Sequence, residues 1–412
     1  NAVYEADTRP VINGNGTQGI GTKKTIISGA VMIYNQEHWE FRNLEVTNSE
    51  DLSNPDLYKK HGKTQRAGIL AYTDNQEKIY DHVVIKDCYV HDVQTEYYQR
   101  ANGRSVGGLK ACGGIIILGH HLTPDGEIRG DSICRSQAAF NDVLIEGNVV
   151  RRVGLEGIRT KCNSDTAKSG NTFLKQFTNI IIRNNYLEEI AGDAIVLTEV
   201  KSGGLVEKNI AKQPCNADYG THNYAGIWSM FSDDAIFQYN EVYGTIYGYN
   251  DGEAYDIDMS CDGNLYQYNY SHHNGGGFLL FMGNQSNSVV RYNISANDGG
   301  GNHGTGVDRD TNSGYTYKEQ SIFHYWNKED NASMPTIYNN TFYVGDGIST
   351  SLFGEGNSAN NSGVIARFYN NIICKEGSGS FKFLTNYPNN GSDAVERTLG
   401  ENPQNFFKNN VI

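Results

Sequence analysis

Residues 250–281 read NDGEAYDIDMSCDGNLYQYNYSHHNGGGFLLF and contain three short runs that are typical of β-strands. The first run, Tyr255–Met259, alternates apolar and acidic residues, as a strand with one buried face does. Its apolar side chains would point one way, and Asp256 and Asp258 the other. A polar face of this kind is either solvated or, where a rigid strand presents two carboxylates together, suited to acid–base chemistry. The position of this run in a repeating chain favours the second interpretation.

The chain repeats one short pattern, an apolar residue followed two or three positions later by Asn and then by another alternating pair. It occurs as FRNLEV at Phe41, IKDCYV at Ile85, IEGNVV at Ile145, IRNNYL at Ile182, VEKNIA at Val206, FQYNEV at Phe237, YQYNYS at Tyr266, VRYNIS at Val290, IYNNTF at Ile337 and FYNNII at Phe368. Several successive Asn positions lie roughly 24–31 residues apart, which is the spacing of stacked repeat architectures. Those positions are Asn185, Asn209, Asn240, Asn269 and Asn293.

A second family of strand-like runs lies between the Asn positions, and helical periodicity is almost absent. The runs are GGIIIL, EGIRTK, DAIVLT, AGIWSM, EAYDID and GGFLLF. Parallel strands wound into a solenoid fit this arrangement, because each coil stacks on the last and the inward positions form continuous apolar columns. The recurring Asn would then form a buried amide ladder. Cys88 occupies the Asn position of its own coil, which predicts a buried and inert thiol.

This pattern resembles that of the right-handed parallel β-helix enzymes that act on carbohydrates, and the resemblance covers the chain from Arg9 to Ile412. It implies an all-β fold, a three-sheet solenoid that forms one domain over residues 1–412. Members of that family mostly cleave polysaccharides, either as glycosidases or as lyases. The resemblance therefore implies an oligosaccharide or polysaccharide substrate, and a secreted or cell-surface protein of bacterial origin is expected.

Composition narrows the function classes further. The net charge of −13 argues against nucleic acid or an anionic membrane surface as a partner. No apolar run approaches the roughly 18 residues of a membrane span. The seven cysteines are scattered without a C-x-x-C pair, and neither H-x-H nor H-E-x-x-H occurs, so no metal site or cofactor is predicted. The chain begins with Asn, and it is expected to be a mature or excised product.

Stacking the second family of runs places their outward residues in columns, with neighbours roughly 4.8 Å apart. Trp228 should then lie one coil from Asp256 and Asp258, with Phe281 on the opposite side. The expected result is a groove with an aromatic platform, two carboxylates and a basic end, walled by loops at Asp51–Ala67, Glu96–Gly113, Leu122–Ala138 and Gly301–Gln320. Its candidate substrate-binding residues are Trp228, Glu253, His222, Phe281, Arg159 and Lys161. Of these, the two basic residues should lie about three coils from the carboxylates, and His222 should cap the groove.

The acidic cluster resembles that of the lacto-N-biosidase type of β-helix glycosidase, whose members use two Asp seven positions apart. Asp251 and Asp258 have this spacing. The resemblance would make Asp251 the general acid and Asp258 the nucleophile, with Asp256 or Glu253 tuning their pKa values. Strand geometry places the Cβ atoms of Asp256 and Asp258 roughly 6.6 Å apart, which leaves retaining and inverting hydrolysis both open.

Two other classes remain open at this point. Polysaccharide lyases with this fold take a Lys or Arg as base, with Ca²⁺ held by acidic residues, and Arg159, Lys161, Asp256 and Asp258 could serve such a site. The separation of about three coils and the negative charge, which repels uronate polymers, count against a lyase. The third class is a glycan-binding β-helix without catalysis.

Overall fold

The computed structural model describes residues 9–15, 20–22, 25–60, 65–75, 77–95, 99–101, 104–106, 111–119, 138–162, 176–217, 224–246, 251–300, 321–326, 334–355, 366–386 and 407–412. Within these ranges the chain is almost entirely strand and turn, and helix is confined to a short 3₁₀ segment, Leu57–Lys59. The prediction of an all-β protein is confirmed.

The strands form three long sheets and one hairpin. Sheet 1 contains β1 (Val11–Asn13), β5 (Glu45–Asn48), β8 (Tyr89–Val93), β13 (Val149–Val153), β16 (Tyr186–Ile190), β19 (Ile210–Lys212), β22 (Glu241–Tyr243), β25 (Tyr270–His272), β28 (Ile294–Ala296), β31 (Thr341–Val344) and β34 (Ile372–Lys375). Sheet 2 contains β2 (Ile20–Thr22), β3 (Thr25–Tyr34), β6 (Gln65–Thr73), β11 (Gly113–Gly119), β14 (Glu156–Cys162), β17 (Ile195–Thr198), β20 (Ile227–Met230), β23 (Glu253–Ile257), β26 (Gly277–Met282), β29 (Ser321–Trp326), β32 (Thr350–Glu355) and β35 (Phe381–Asn386). Sheet 3 contains β4 (Trp39–Arg42), β7 (Ile79–Lys86), β12 (Ala139–Glu146), β15 (Phe177–Arg183), β18 (Val200–Glu207), β21 (Ile236–Gln238), β24 (Leu265–Gln267), β27 (Val289–Arg291), β30 (Thr336–Tyr338), β33 (Arg367–Tyr369) and β36 (Phe407–Lys408). The hairpin pairs β9 (Gln99–Ala101) with β10 (Arg104–Val106).

One coil of the chain visits the sheets in a fixed order. From β20 in sheet 2 it continues to β21 in sheet 3 and β22 in sheet 1, and it returns to sheet 2 as β23, which pairs with β20 in parallel. Apart from the antiparallel β2–β3 pair, the described neighbours in the three sheets are parallel. Parallel crossovers are right-handed in nearly every protein. The fold is therefore the predicted right-handed parallel β-helix.

The recurring Asn forms the predicted ladder at the turn between sheets 3 and 1. Oδ1 of Asn240 accepts hydrogen bonds from the backbone N and from Nδ2 of Asn209, at 3.1 and 3.0 Å. Nδ2 of Asn240 in turn donates to Oδ1 of Asn269 at 3.0 Å and to the carbonyl of Val206 at 2.9 Å. Each coil therefore satisfies buried polar groups of its neighbour. The ladder comprises Asn148, Asn185, Asn209, Asn240, Asn269, Asn293, Asn340, Asn371 and Asn410.

Cys88 takes the Asn position of its coil, as the sequence predicts. Its backbone N donates to Oδ1 of Asn148 at 2.9 Å, so the ladder continues through the main chain. The side chain is fully buried, and burial raises the pKa of the Cys88 thiol. This thiol is therefore poorly suited to ionise and react.

Candidate active site

The carboxylates predicted from the sequence lie on the outward face of sheet 2. Trp228 of β20 stands opposite Asp256 of β23, as predicted. The column continues on one side through Val196 to Arg159, three strands from Asp256, which is the predicted interval. On the other side it runs through Leu280 of β26 to His324 of β29. The column therefore comprises, in order, Arg159, Val196, Trp228, Asp256, Leu280 and His324.

This face of sheet 2 is shielded from solvent. Asp256 is 5% exposed and Asp258 is 7% exposed, and the other members of the column are equally buried. This burial differs from the exposed side chains expected along the groove, because strand alternation fixes the direction of a side chain but not what packs over it. Among the loops expected to wall the groove, residues 61–64, 96–98, 102–103, 107–110, 122–137 and 301–320 lie outside the described residues.

The surroundings of Asp256 strongly disfavour ionisation of its carboxyl group. Burial raises its pKa well above the usual range, and the negative charges of Asp258, Asp251, Glu253 and Asp193 add to this effect. Within the described part of the chain, Oδ1 of Asp256 has no hydrogen-bond partner. A raised pKa favours the protonated form of this carboxyl, which is the property that a general acid needs.

Asp258 and Asp251 lie at opposite ends of β23. Asp258 follows the strand. Its backbone N donates to the carbonyl of Ser229 at 2.9 Å, which continues the backbone pairing of β23 with β20. Oδ1 of Asp258 accepts a hydrogen bond of 2.6 Å from the backbone N of Met259. Asp251 precedes the strand and is half-buried. Both carboxylates act electrostatically on Asp256, so the structure brings the three predicted catalytic candidates together.

Glu253 pairs with a residue that the sequence analysis did not identify. Oε1 of Glu253 lies 2.9 Å from Nδ1 of His324, and both side chains are buried. His324 stands in the run SIFHYW at the outward position that Asp256 occupies in EAYDID, and aligning these two runs could have found it.

Arg159 does not form the exposed basic end that was expected. Nη1 of Arg159 lies 2.8 Å from Oε1 of Glu156 and 3.9 Å from Oδ2 of Asp193, and all three side chains are buried. The guanidinium carbon lies 5.5 Å from the centre of the Trp228 ring. Arg159 therefore neutralises two buried carboxylates and packs on the indole. Lys161, two residues further along β14, is half-buried beside Leu118 of β11.

Trp228 is buried beneath its neighbours. It packs with Val196, Ala225 and Met230, and only 5% of its surface is exposed. With Arg159 over one side, the ring has little free surface on which a sugar could stack. The described contacts favour a packing role for Trp228 over the exposed platform that the sequence suggested.

Phe281 lies in the core and not on the outward face beside Asp258, which corrects the expected register. Leu279 stands opposite Tyr255, so Leu280 faces Asp256 and Phe281 faces Ile257. Phe281 consequently points inward with the other core residues. The expected stacking differs by one residue from the observed register, in which Gly277 of β26 pairs with Glu253.

His222, the expected cap, lies outside the described residues. In the ranges that the structure does describe, no group of three or more His, Cys, Asp or Glu side chains is arranged to hold a metal ion. No helix in those ranges is long and apolar enough to cross a membrane.

The fold and this buried acidic face define a parallel β-helix protein with a candidate active site on sheet 2. No protein-family model matches the chain. A lacto-N-biosidase of Bifidobacterium longum subsp. longum is 27% identical over 418 residues, which cover 89% of this chain and 24% of that protein. The chain thus spans about a quarter of the length of this curated relative.

Solved structures of GH136 lacto-N-biosidase from Eubacterium ramulus are similar to this chain. The selenomethionine derivative gives a TM-score of 0.59 and the native protein 0.57, each at 22% sequence identity. Each similarity covers 92% of this chain and 57% of the solved chain. At this level of identity the likeness establishes the fold.

Proposed function

We propose that this chain is a glycoside hydrolase that cleaves an oligosaccharide with two carboxyl groups on the outward face of sheet 2. The observation that carries the proposal is the environment of Asp256, which is buried among four other carboxylates and has a raised pKa. Glycosidases need one carboxyl that keeps its proton and a second that is ionised, and unlike surroundings separate the two pKa values. The similarity to lacto-N-biosidases supports the same class of reaction.

In this proposal Asp258 is the ionised carboxylate, and its partner acid is Asp256 or Asp251. The burial of Asp256 supports the first assignment. The spacing of seven residues between Asp251 and Asp258 supports the second, through the resemblance to the lacto-N-biosidase type. A lacto-N-bioside is the first substrate to test, because the similar proteins carry that activity in their names.

The charge of the site supports a neutral sugar and opposes the lyase alternative. The carboxylates of Asp258, Asp251 and Glu253 act on the position of Asp256, and they repel a uronate. The lyase base would have to be Arg159 or Lys161, and Arg159 is held in ion pairs. We also propose that no cofactor is required, and that Ca²⁺ would matter only if the lyase alternative held.

A product assay separates the three classes. The chain is incubated with an aryl lacto-N-bioside, with a panel of neutral oligosaccharides and with uronate polymers, and the products are separated by chromatography. The expected result is release of a free sugar. The ultraviolet absorbance of an unsaturated sugar ring should not appear. An unsaturated product would replace the proposal with a lyase, and glycan binding without turnover would replace it with a binding protein.

A further inference from the structure

Glu253 and His324 form a buried acid–imidazole pair next to the proposed catalytic carboxyls. Nδ1 of His324 lies 2.9 Å from Oε1 of Glu253, and the two side chains are almost completely shielded. Glu253 lies three residues before Asp256 on β23, so it belongs to the same strand as the proposed acid. A proton on Nδ1 of His324 is donated to Oε1 of Glu253, so this contact holds one of the two carboxyl oxygens.

The glycines of β26 and the turn before it allow this pair to form. β26 separates β23 from β29, and Gly277 is the residue of β26 that stands opposite Glu253. A Cβ on Gly277 would lie 2.1 Å from the carbonyl oxygen of Ser321, and one on Gly276 would lie 2.4 Å from the carbonyl carbon of Gly252. The backbones therefore pack too closely for any side chain here. At the level of Glu253, β26 has no side chain to separate the glutamate from His324.

The second oxygen of Glu253 has no hydrogen-bond partner among the residues that the structure describes. Within the described residues, neither Oε2 of Glu253 nor Oδ1 of Asp256 has a hydrogen-bond partner, although both side chains are buried. Buried polar atoms are nearly always hydrogen-bonded, so two such oxygens on one strand indicate positions that a ligand satisfies. Leu280 lies between Asp256 and His324 in the outward column, so an apolar side chain separates the acid from the imidazole.

We infer that Oε2 of Glu253 accepts a hydrogen bond from a hydroxyl or amide N–H of the sugar bound at Asp256, and that His324 is the positioning residue for this contact. The inference rests on the proposed glycosidase function and adds a specificity-determining residue to it. Because His324 contacts Oε1 of Glu253, it fixes the plane of the carboxylate and leaves Oε2 to contact the substrate. A carboxylate acceptor of this kind selects an uncharged donor group and rejects an anionic one.

The test compares wild type and Glu253→Gln on an aryl glycoside that the wild type cleaves and on its monodeoxy and N-deacetylated analogues. The amide keeps the size of the side chain and its contact with His324 but presents NH₂ where Oε2 accepted. Loss of a hydrogen bond to a charged group is expected to lower kcat/KM of Glu253→Gln about 10–100-fold on the intact substrate. One analogue should lack the group that Glu253 binds. On that analogue, kcat/KM of the wild type should fall by a similar factor, and kcat/KM of Glu253→Gln should stay almost the same as on the intact substrate.

His324 is tested by rescue. His324→Leu removes the hydrogen bond to Glu253, whereas His324→Asn keeps a donor near the position of Nδ1. KM should rise in His324→Leu with a smaller change in kcat, and His324→Asn should restore most of the loss. His91 offers a matched control, because its ring nitrogens contact Asp92 and Glu45 on sheet 1. His91→Leu should leave KM unchanged whatever it does to stability.

The outcomes separate the inference from the proposed function. If the wild type cleaves no glycoside, the proposed function and this inference both fall. The inference alone is wrong if the wild type is active but every analogue lowers kcat/KM of Glu253→Gln by the same factor as it lowers kcat/KM of the wild type. If Glu253→Gln does not fold, the two His324 variants provide the test. Equal KM values for wild type, His324→Leu and His324→Asn would overturn the inference.

Discussion

Trp228 and Asp256 stand opposite each other on β20 and β23, with both side chains on the outward face of sheet 2. The indole is packed between Arg159 on one side and the strand of the carboxyl on the other. An apolar ring beside a carboxyl withholds water from it, and desolvation is the leading cause of the raised pKa of Asp256. We propose that Trp228 contributes to the site by limiting the access of water to Asp256.

Trp228→Ala is expected to destabilise the protein by about 3–5 kcal/mol, as the loss of a buried aromatic side chain does. Urea unfolding followed by circular dichroism measures this change. Trp39 provides the control, because it is 46% exposed and Trp39→Ala should change stability by no more than about 0.5 kcal/mol. Equal small effects of both substitutions, with a rise of KM only in Trp228→Ala, would restore the exposed-platform interpretation.

Asn240→Ala should cost at least about 2 kcal/mol, because buried donors of Asn209 lose their acceptor without access to water. Gln238, two residues earlier, belongs to a half-buried hydrogen-bonded row on the outside of sheet 3. Gln238→Ala should cost about 0.5–1 kcal/mol at most, since water can replace its partners. Melting temperatures of the two variants test the ladder, and similar values would show that it contributes little.

Asp298 should make stability depend on pH. It is buried, accepts hydrogen bonds from Ser295 and Asn274, and has a pKa raised from 3.8 to about 6, chiefly by desolvation. A raised folded-state pKa favours the protonated form, so its contribution is complete below about pH 4 and is lost as the pH rises to about 6. The loss amounts to about 3 kcal/mol for a shift of this size.

The measurement is unfolding free energy between pH 3.5 and 7 for wild type and Asp298→Asn. The amide cannot ionise, so the difference between the two proteins should change in favour of Asp298→Asn as the pH rises. A constant difference across this range would contradict the shifted pKa. Using the difference removes the contribution of other groups, such as Asp92, whose pKa is lowered to about 2.

Asp256→Asn and Asp251→Asn together identify the partner acid. Replacing a general acid removes protonation of the leaving group, which typically supplies about 10²–10⁴ in rate. The variant at the acid should therefore keep relatively more activity on an aryl glycoside with a good leaving group than on an oligosaccharide. We expect this pattern for Asp256→Asn. Its appearance in Asp251→Asn alone would favour the seven-residue pair.

The sequence predicted the coil repeat, the Asn ladder, the inert Cys88 and the adjacency of Trp228 and Asp256. These features depend on strand alternation and on a fixed repeat, which local sequence encodes directly. It did not predict the ion pairs of Arg159 or the contact between His324 and Glu253. Both depend on how side chains from separate coils meet, and the second also on the close backbone packing at Gly277. The inward position of Phe281 escaped prediction because a run of apolar residues does not define its own register.

Asp258 provides the most direct test of the central claim, that the outward face of sheet 2 around β23 is a hydrolytic site. Asp258→Asn keeps the size of the side chain and removes its charge. Asp262 is the control, since it is an exposed turn residue of the same coil that accepts hydrogen bonds from Ser286 and Asn287.

The measurement is kcat/KM on the substrate that the wild type cleaves, for wild type, Asp258→Asn and Asp262→Asn. We expect a loss of at least about 10²-fold for Asp258→Asn with an unchanged circular dichroism spectrum, and near wild-type activity for Asp262→Asn. Near wild-type hydrolysis by Asp258→Asn would contradict the account and would place the active site elsewhere on the coil.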